Sequence, residues 1–232
     1  MHRDTLGFMN TLLQNQNDLG TILYWKHENT DIIFPFTQIG DIFRGGMFWC
    51  IPNLGPQGDI FAIQNGEYRK WEGRETKILT GIWGALNATV IWNFSEKEMT
   101  TTATLIAIKN DTHLRPGFHP YFPVGHTFEI SIGETKLTQK NIPHDTRVVV
   151  ILKNEEYGAV LHTNNQTTHV SYHITEGKSD LTRAFCIWTD NKERYICIEP
   201  VVGLGVADDG SPSPYTLQEK EMLTLTSTIL LT

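Results

Sequence analysis

Charge is scarce in this chain. Only 19% of its 232 residues are Asp, Glu, Lys or Arg, where roughly 25% is usual. Its 19 Lys and Arg are outnumbered by 26 Asp and Glu, so the net charge is −7, and no basic cluster offsets it. A polyanion would be repelled, so no nucleic-acid partner is expected. Cysteine is scarce too. Cys50, Cys186 and Cys197 make an odd three without a C-x-x-C pair. They read as buried small hydrophobes rather than a disulfide framework, and the expected location is a reducing cytoplasm. Long apolar runs are missing: no window reaches the roughly 18 residues of a membrane span. The opening Met1-His2-Arg3-Asp4-Thr5-Leu6-Gly7-Phe8 has no signal-peptide core. No membrane partner is expected. Helical periodicity is nearly absent as well, with Asp4–Gln16 the one candidate stretch, and a polar one.

What is present is apolar and aromatic. Hydrophobic residues make up 40% of the chain, including six Trp, seven Tyr and eleven Phe, which excludes intrinsic disorder. A chain of this length buries roughly 70% of its unfolded surface, enough for a core without staples. No low-complexity linker or repeat divides it, so residues 1–232 read as a single domain.

The dominant period is two. Phe128-Glu129-Ile130-Ser131-Ile132 alternates, as do Met99–Ile108 and Leu223–Ile229. Further β-branched and aromatic runs occur at Thr21–Trp25, Thr89–Phe94, Val148–Leu152, Ala159–His162, Thr168–Ile174, Ala184–Trp188 and Tyr195–Glu199. Turn residues separate most of them. About ten short strands at this spacing predict an all-β antiparallel sandwich or barrel. Threonine suits this plan, because its branched carbon fits the pleat while its hydroxyl faces water. Three Gly/Pro-rich segments, Gly40–Gly73, Thr112–Gly125 and Pro200–Pro214, read as loops, where function tends to concentrate.

Each loop region carries a constellation. The first holds Phe43-Arg44-Gly45-Gly46, where paired glycines permit close backbone approach to a ligand and Arg44 offers a planar fork; a β-bulge with a surface arginine fits equally. It continues to Gln64-Asn65-Gly66-Glu67-Tyr68-Arg69-Lys70-Trp71, which groups the amide, guanidinium and indole groups that suit sugars, or an ordinary polar turn. The second holds Gly117-Phe118-His119-Pro120-Tyr121-Phe122-Pro123. Prolines restrict the backbone around His119, and a fixed imidazole suits proton transfer or a structural hydrogen bond. In the third, Glu199 ends the apolar run Tyr195-Ile196-Cys197-Ile198 just before Pro200. A carboxylate there needs an ionic partner or a task. His169 and His173 share no metal site, since i and i+4 on a strand lie roughly 13 Å apart.

Taken in order, these segments resemble the aldose 1-epimerase (galactose mutarotase-like) family, nearest its glucose-6-phosphate 1-epimerase-like bacterial branch. Arg44-Gly45-Gly46 with Pro52-Asn53-Leu54-Gly55 is similar to the family's R-G-G…P…G loop. Gln64-Asn65-Gly66…Arg69…Trp71 is similar to Q-H-G-x-x-R…W. Gly117-Phe118-His119-Pro120-Tyr121-Phe122 is similar to G-x-H-P-Y-F, and Trp188 with Cys197-Ile198-Glu199-Pro200 is similar to the W…c-i-E-P segment. The resemblance implies a β-sandwich of the galactose mutarotase (supersandwich) type. It implies an isomerase that interconverts the α and β anomers of a hexose or hexose 6-phosphate, with Glu199 as base and His119 as acid. Arg44, Gln64, Asn65, Arg69 and Tyr121 would bind the substrate. No cofactor and no metal are expected, because only protons move. The implied partner is a small sugar or sugar phosphate, and the implied state a monomer or weak homodimer. Asn65 departs from the family histidine and cannot carry a proton near neutral pH. That departure motivates the alternative, a non-catalytic carbohydrate-binding or regulatory protein on the same fold. The aspartate that many members use for substrate has no motif here; Asp145, Asp180 and Asp190 all fall in the interval. If His119 and Glu199 serve one pyranose ring, they must lie within ~10 Å of each other.

Overall fold

The computed structural model describes residues 3–8, 11–16, 21–51, 54, 76–83, 85–153, 158–178, 180–192, 194–208, 210 and 212–232. These residues are all-β: they form 22 strands, and no helix occurs among them. Two antiparallel sheets dominate. The first runs, in spatial order, through Arg3–Phe8, Thr11–Gln16, Thr21–His27, Met47–Cys50, Gly117–Pro123, Tyr195–Val206, Leu181–Trp188 and Val148–Ile151, with Thr30–Ile33 and Pro212–Ser213 paired to its sides. The second runs Thr135–Thr138, Phe128–Ile132, Gly158–Thr163, Thr167–Glu176, Met222–Leu231, Glu98–Ala107, Leu86–Phe94 and Thr76–Trp83.

The second sheet is the one whose alternation the sequence displays. In Glu98–Ala107, Met99, Thr101, Ala103, Leu105 and Ala107 are buried while the residues between them are not. Its outer face carries few charges near the centre and satisfies itself with hydroxyls. Thr100 pairs with Thr228 at 3.0 Å, Thr102 with Thr226 at 3.1 Å and Thr104 with Thr224 at 3.3 Å, each directly across the ladder. Cross-strand Thr pairs of this kind stabilise a sheet by a few tenths of a kcal/mol to about 1 kcal/mol each.

The inner faces meet in one large core. Trp49, Phe118, Phe122, Phe185 and Ile198 come from the first sheet, and Trp92, Val90, Leu105, Val170 and Leu225 from the second. Trp92 meets the Phe118 ring edge-on across the interface at 5.8 Å. A polar bond crosses this core: Trp49 Nε1 donates to Thr101 Oγ1 at 2.8 Å, and both residues are buried.

The first sheet is different, because its central strands are buried on both faces. Met47–Cys50 is buried throughout, Gly117–Pro123 at every position before Pro123, and Tyr195–Val206 from Tyr195 to Gly203. Three sequence expectations are corrected here. The described residues of Asp4–Gln16 are not helical but belong to the strands Arg3–Phe8 and Thr11–Gln16, which pair with each other. The second and third loops are largely strand: Gly117–Pro123 and the Pro200–Val206 continuation lie at the sheet centre. Prolines suggested loops, yet Pro120 sits where the ladder to Tyr195–Val206 is interrupted. Pairing holds at Gly117–Val201 and resumes at Tyr121–Cys197, so the missing N–H forfeits no ladder bond there. Gly40–Gly73 also holds the strands Ile42–Arg44 and Met47–Cys50.

The Gly45-Gly46 pair is explained by its own chain rather than by a ligand. Both have positive φ, 98° and 77°, and a Cβ would come within 2.3 Å of Pro35 O at Gly45 and 2.7 Å of Ile22 O at Gly46. Only glycine fits such a turn against backbone.

The inter-sheet bond gives a direct test. Thr101→Val leaves the Trp49 indole N–H buried without a partner, at a cost of about 1–3 kcal/mol. Urea denaturation should show a lowered midpoint for Thr101→Val, and an unchanged midpoint would refute the bond's role.

Candidate active site

The interrupted ladder creates the site. The Gly117–Val201 and Tyr121–Cys197 pairs share one register, and that register carried through the gap sets His119 opposite Glu199. Directly opposed residues on antiparallel strands project from the same face. His119 Nε2 accordingly lies 3.3 Å from Glu199 Oε1. The row extends outward, with Phe48 beside His119 and Cys186 beside Glu199. The next row holds Tyr121, Cys197 and Trp188. Both His119 and Glu199 precede a proline, which confines their backbone to the extended region.

This face is walled by aromatics. Two rings stack on the His119 imidazole, Tyr121 at 4.8 Å and Phe48 at 5.0 Å, while Trp188 approaches it edge-on at 6.5 Å. Phe34, Cys50, Leu54 and Tyr195 belong to the same apolar layer. Gly117 keeps the floor thin: a Cβ there would meet Pro200 O at 2.8 Å and Leu54 Cβ at 3.0 Å. The His119 side chain is 11% exposed and that of Glu199 4%.

Burial sets the protonation. It pushes His119 from 6.5 down to about 3, and the positive charges of Arg147 and Arg44 act in the same direction. The resting imidazole is therefore neutral near pH 7. Its Nδ1 is buried and has no hydrogen-bond partner among the described residues. Burial, with Cys197 next, raises the Tyr121 phenol, and burial, with Glu199 next, raises the Cys197 thiol.

Arg44 is held at the edge of this floor. Its Nε and one Nη donate to Asp190 Oδ2 at 2.8 and 2.7 Å, and Tyr195 donates its hydroxyl to Asp190 Oδ1. The guanidinium also lies 5.2 Å from the Trp188 ring centre. Trp188 Nε1 in turn donates to Asp145 Oδ1 at 3.3 Å.

Of the sequence-predicted site residues, the structure brings together His119, Glu199, Tyr121 and Arg44. Gln64, Asn65 and Arg69 lie outside the described residues. Of the three aspartates, Asp190 reaches the site through Arg44, Asp145 borders it through Trp188, and Asp180 is exposed elsewhere. Sequence reasoning did not single out Phe48, Asp190 or Tyr195 as site residues. Phe48 follows the Gly-Gly turn, and Tyr195 lies two residues before Cys197 and four before Glu199. A period-two reading from Glu199 therefore reaches Tyr195, though no local motif marks it.

No protein-family model and no curated protein matches the chain. Solved structures do. The galactose mutarotase related enzyme of Lactobacillus acidophilus superposes with a TM-score of 0.73 at 11% identity, covering 100% of this chain and 97% of that one. The galactose mutarotase-like protein of Lactobacillus casei ATCC 334 gives 0.71 at 15% identity, covering 100% of both chains. The Slr1438 protein of Synechocystis sp. PCC 6803 gives 0.73 at 12%, covering 100% and 96%. The chain has the galactose mutarotase-like fold. At these identities the likeness establishes architecture, and chemistry has to be argued from the residues.

The His119 environment sets a pH dependence of stability. Unfolded, the imidazole binds a proton near 6.5; folded, it does so only near 3. Between these values the unfolded state holds the extra proton, so stability falls as pH falls from about 6.5 toward 3. From pH 7 to pH 5 the metal-free wild type should lose about 2 kcal/mol more than His119→Gln. Equal losses in urea titrations at the two pH values would contradict a neutral, buried imidazole.

Proposed function

We propose that this chain is an aldose 1-epimerase that interconverts the α and β anomers of a hexose or hexose 6-phosphate. The observation that carries the reading is the 3.3 Å contact between His119 Nε2 and Glu199 Oε1 beneath aromatic walls. Aromatic faces suit the C–H surfaces of a pyranose, and an acid–base pair at the floor suits its two ring-opening oxygens.

Anomer exchange needs one proton removed from the anomeric hydroxyl and one delivered to the ring oxygen. Glu199 takes the first, and His119 delivers the second. Because the resting imidazole is neutral, it gains the proton it donates from Glu199 across their contact. The substrate thus loses a proton at one oxygen and gains one at the other, and the pair ends each ring opening with its starting proton count. The C1–O5 bond breaks to give the open-chain aldehyde. Rotation about C1–C2 exposes the other carbonyl face, and the reverse transfers close the ring. The neutral imidazole places no standing positive charge beside Arg44, whose own charge is balanced by Asp190.

Arg44, Tyr121 and Trp188 are assigned to the sugar's hydroxyls and apolar face. Arg44, Gln64, Asn65, Arg69 and Tyr121 form the proposed substrate-binding set that the family resemblance implies. With Arg44 already tied to Asp190, a 6-phosphate would depend chiefly on Arg69.

Two-dimensional exchange NMR on glucose, galactose and their 6-phosphates tests the proposal. The wild type should accelerate anomer exchange above buffer, and His119→Asn and Glu199→Gln should each lose about 10²–10⁴-fold. No acceleration with any of the four sugars, together with saturable sugar binding, would favour the non-catalytic sugar-binding reading that Asn65 motivates. For an active enzyme, Asp190→Asn should free the Arg44 fork and raise KM by about tenfold with kcat nearly kept, as for lost ground-state binding.

A further inference from the structure

The residue beneath the acid–base pair that the proposed reaction does not use is Cys197. It occupies the row next to Glu199 on the same strand and face, directly opposite Tyr121. One ligand atom from each of His119, Cys197 and Glu199 lies within 4.8 Å of the others. That is a nitrogen, a sulfur and a carboxylate oxygen converging on one point. His119 has capacity to spare, since Nε2 faces Glu199 and the buried Nδ1 has no hydrogen-bond partner among the described residues. Cys197 forms no disulfide.

We propose that His119, Cys197 and Glu199 form a binding site for a thiophilic divalent cation, Zn2+ foremost, and that the bound ion inhibits the enzyme competitively with sugar. The donor set selects the ion. Thiolate and imidazole favour Zn2+ over Mg2+ or Ca2+, which prefer oxygen alone. Tetrahedral Zn2+ takes sulfur at about 2.3 Å and nitrogen or oxygen at about 2.0–2.2 Å. Ligand atoms so bound lie about 3.3–3.8 Å apart, so the cluster tightens by roughly 1 Å on binding. Three protein ligands leave a fourth position open toward the aromatic walls. Asp190 offsets Arg44 and the ion displaces the thiol proton, while the positive charge of Arg147 near His119 opposes entry. An ion held by the imidazole and the carboxylate removes the base and the acid together. The inhibition rests on the epimerase reading; the binding does not.

The test uses the full chain, stripped with EDTA and titrated with Zn2+ and, as a spectroscopic probe, Co2+. One equivalent should bind, with a thiolate-to-Co2+ charge-transfer band in the near ultraviolet. X-ray absorption at the zinc edge should show one sulfur at about 2.3 Å with nitrogen and oxygen neighbours. An all-nitrogen/oxygen shell, or no stoichiometric binding, overturns the site without recourse to any variant. Cys197→Ser should weaken Zn2+ binding at least about 100-fold, since even outer partners of a metal site are worth 10–100-fold. Cys50→Ser and Cys186→Ser should bind as the wild type does, and loss in either of them instead would relocate the sulfur and refute the assignment. In the exchange assay Zn2+ should raise KM for sugar with kcat kept, and inhibition unaffected by sugar concentration refutes competition. A chain that binds Zn2+ but shows no exchange in EDTA leaves the metal site standing and removes the epimerase reading.

Discussion

The contact between His119 and Glu199 depends on register. Two strands at the centre of a ten-stranded sheet must pair so that residue 119 faces residue 199, and a slip of one residue would send one side chain into the inter-sheet core. The register is secured from both sides. Phe118 and Phe122 of one strand, and Ile196 and Ile198 of the other, are anchored among the aromatics of the main core. Each pairs an apolar residue facing inward with a site residue facing outward. The candidate site is thus the reverse side of the packing, and the hydrophobic face that stabilises the sandwich also fixes the spacing of His119 and Glu199.

Proline contributes to the same end. Pro120 and Pro200 follow His119 and Glu199 and remove backbone donors where the ladder between them is interrupted. The His119–Glu199 pair occupies a stretch where neighbouring strands are held close without a complete set of hydrogen bonds. On its other side the strand is tied by Tyr121, its N–H donating to Gly46 O at 3.0 Å and its C=O accepting from Phe34 N at 2.8 Å. The Gly45-Gly46 turn is therefore tied to the strand that carries His119, and Arg44 is delivered to the site edge by the same turn.

How legible this was depended on burial. The second sheet has one face in the core and one outside, so Glu98–Ala107 and Met222–Leu231 alternate visibly and their strands were readable. Gly117–Pro123 is buried on both faces, so alternation vanishes, and its glycine, histidine and prolines read as a loop. Arg3–Phe8 and Thr11–Gln16 are short and polar, and only pairing with a neighbour makes them strands. The proximity of His119 and Glu199 follows from no local pattern; the segments around them stand out only through their resemblance to a known family. Asp190 was not resolvable from Asp145 and Asp180, because its role comes from a partner 146 positions away. The glycine pair serves close approach, but the backbone it approaches is that of Pro35 and Ile22.

Trp188 gives this architecture an optical handle. Trp25, Trp49 and Trp92 are sealed in the core, while Trp188 is only partly buried, with Arg44 over its ring and His119 at its edge. An indole so placed feels any change in the charge or hydration of the groove directly. Its share of the fluorescence, read as the difference between the wild type and Trp188→Phe, is an intrinsic gauge of its surroundings, available without a dye or an added label.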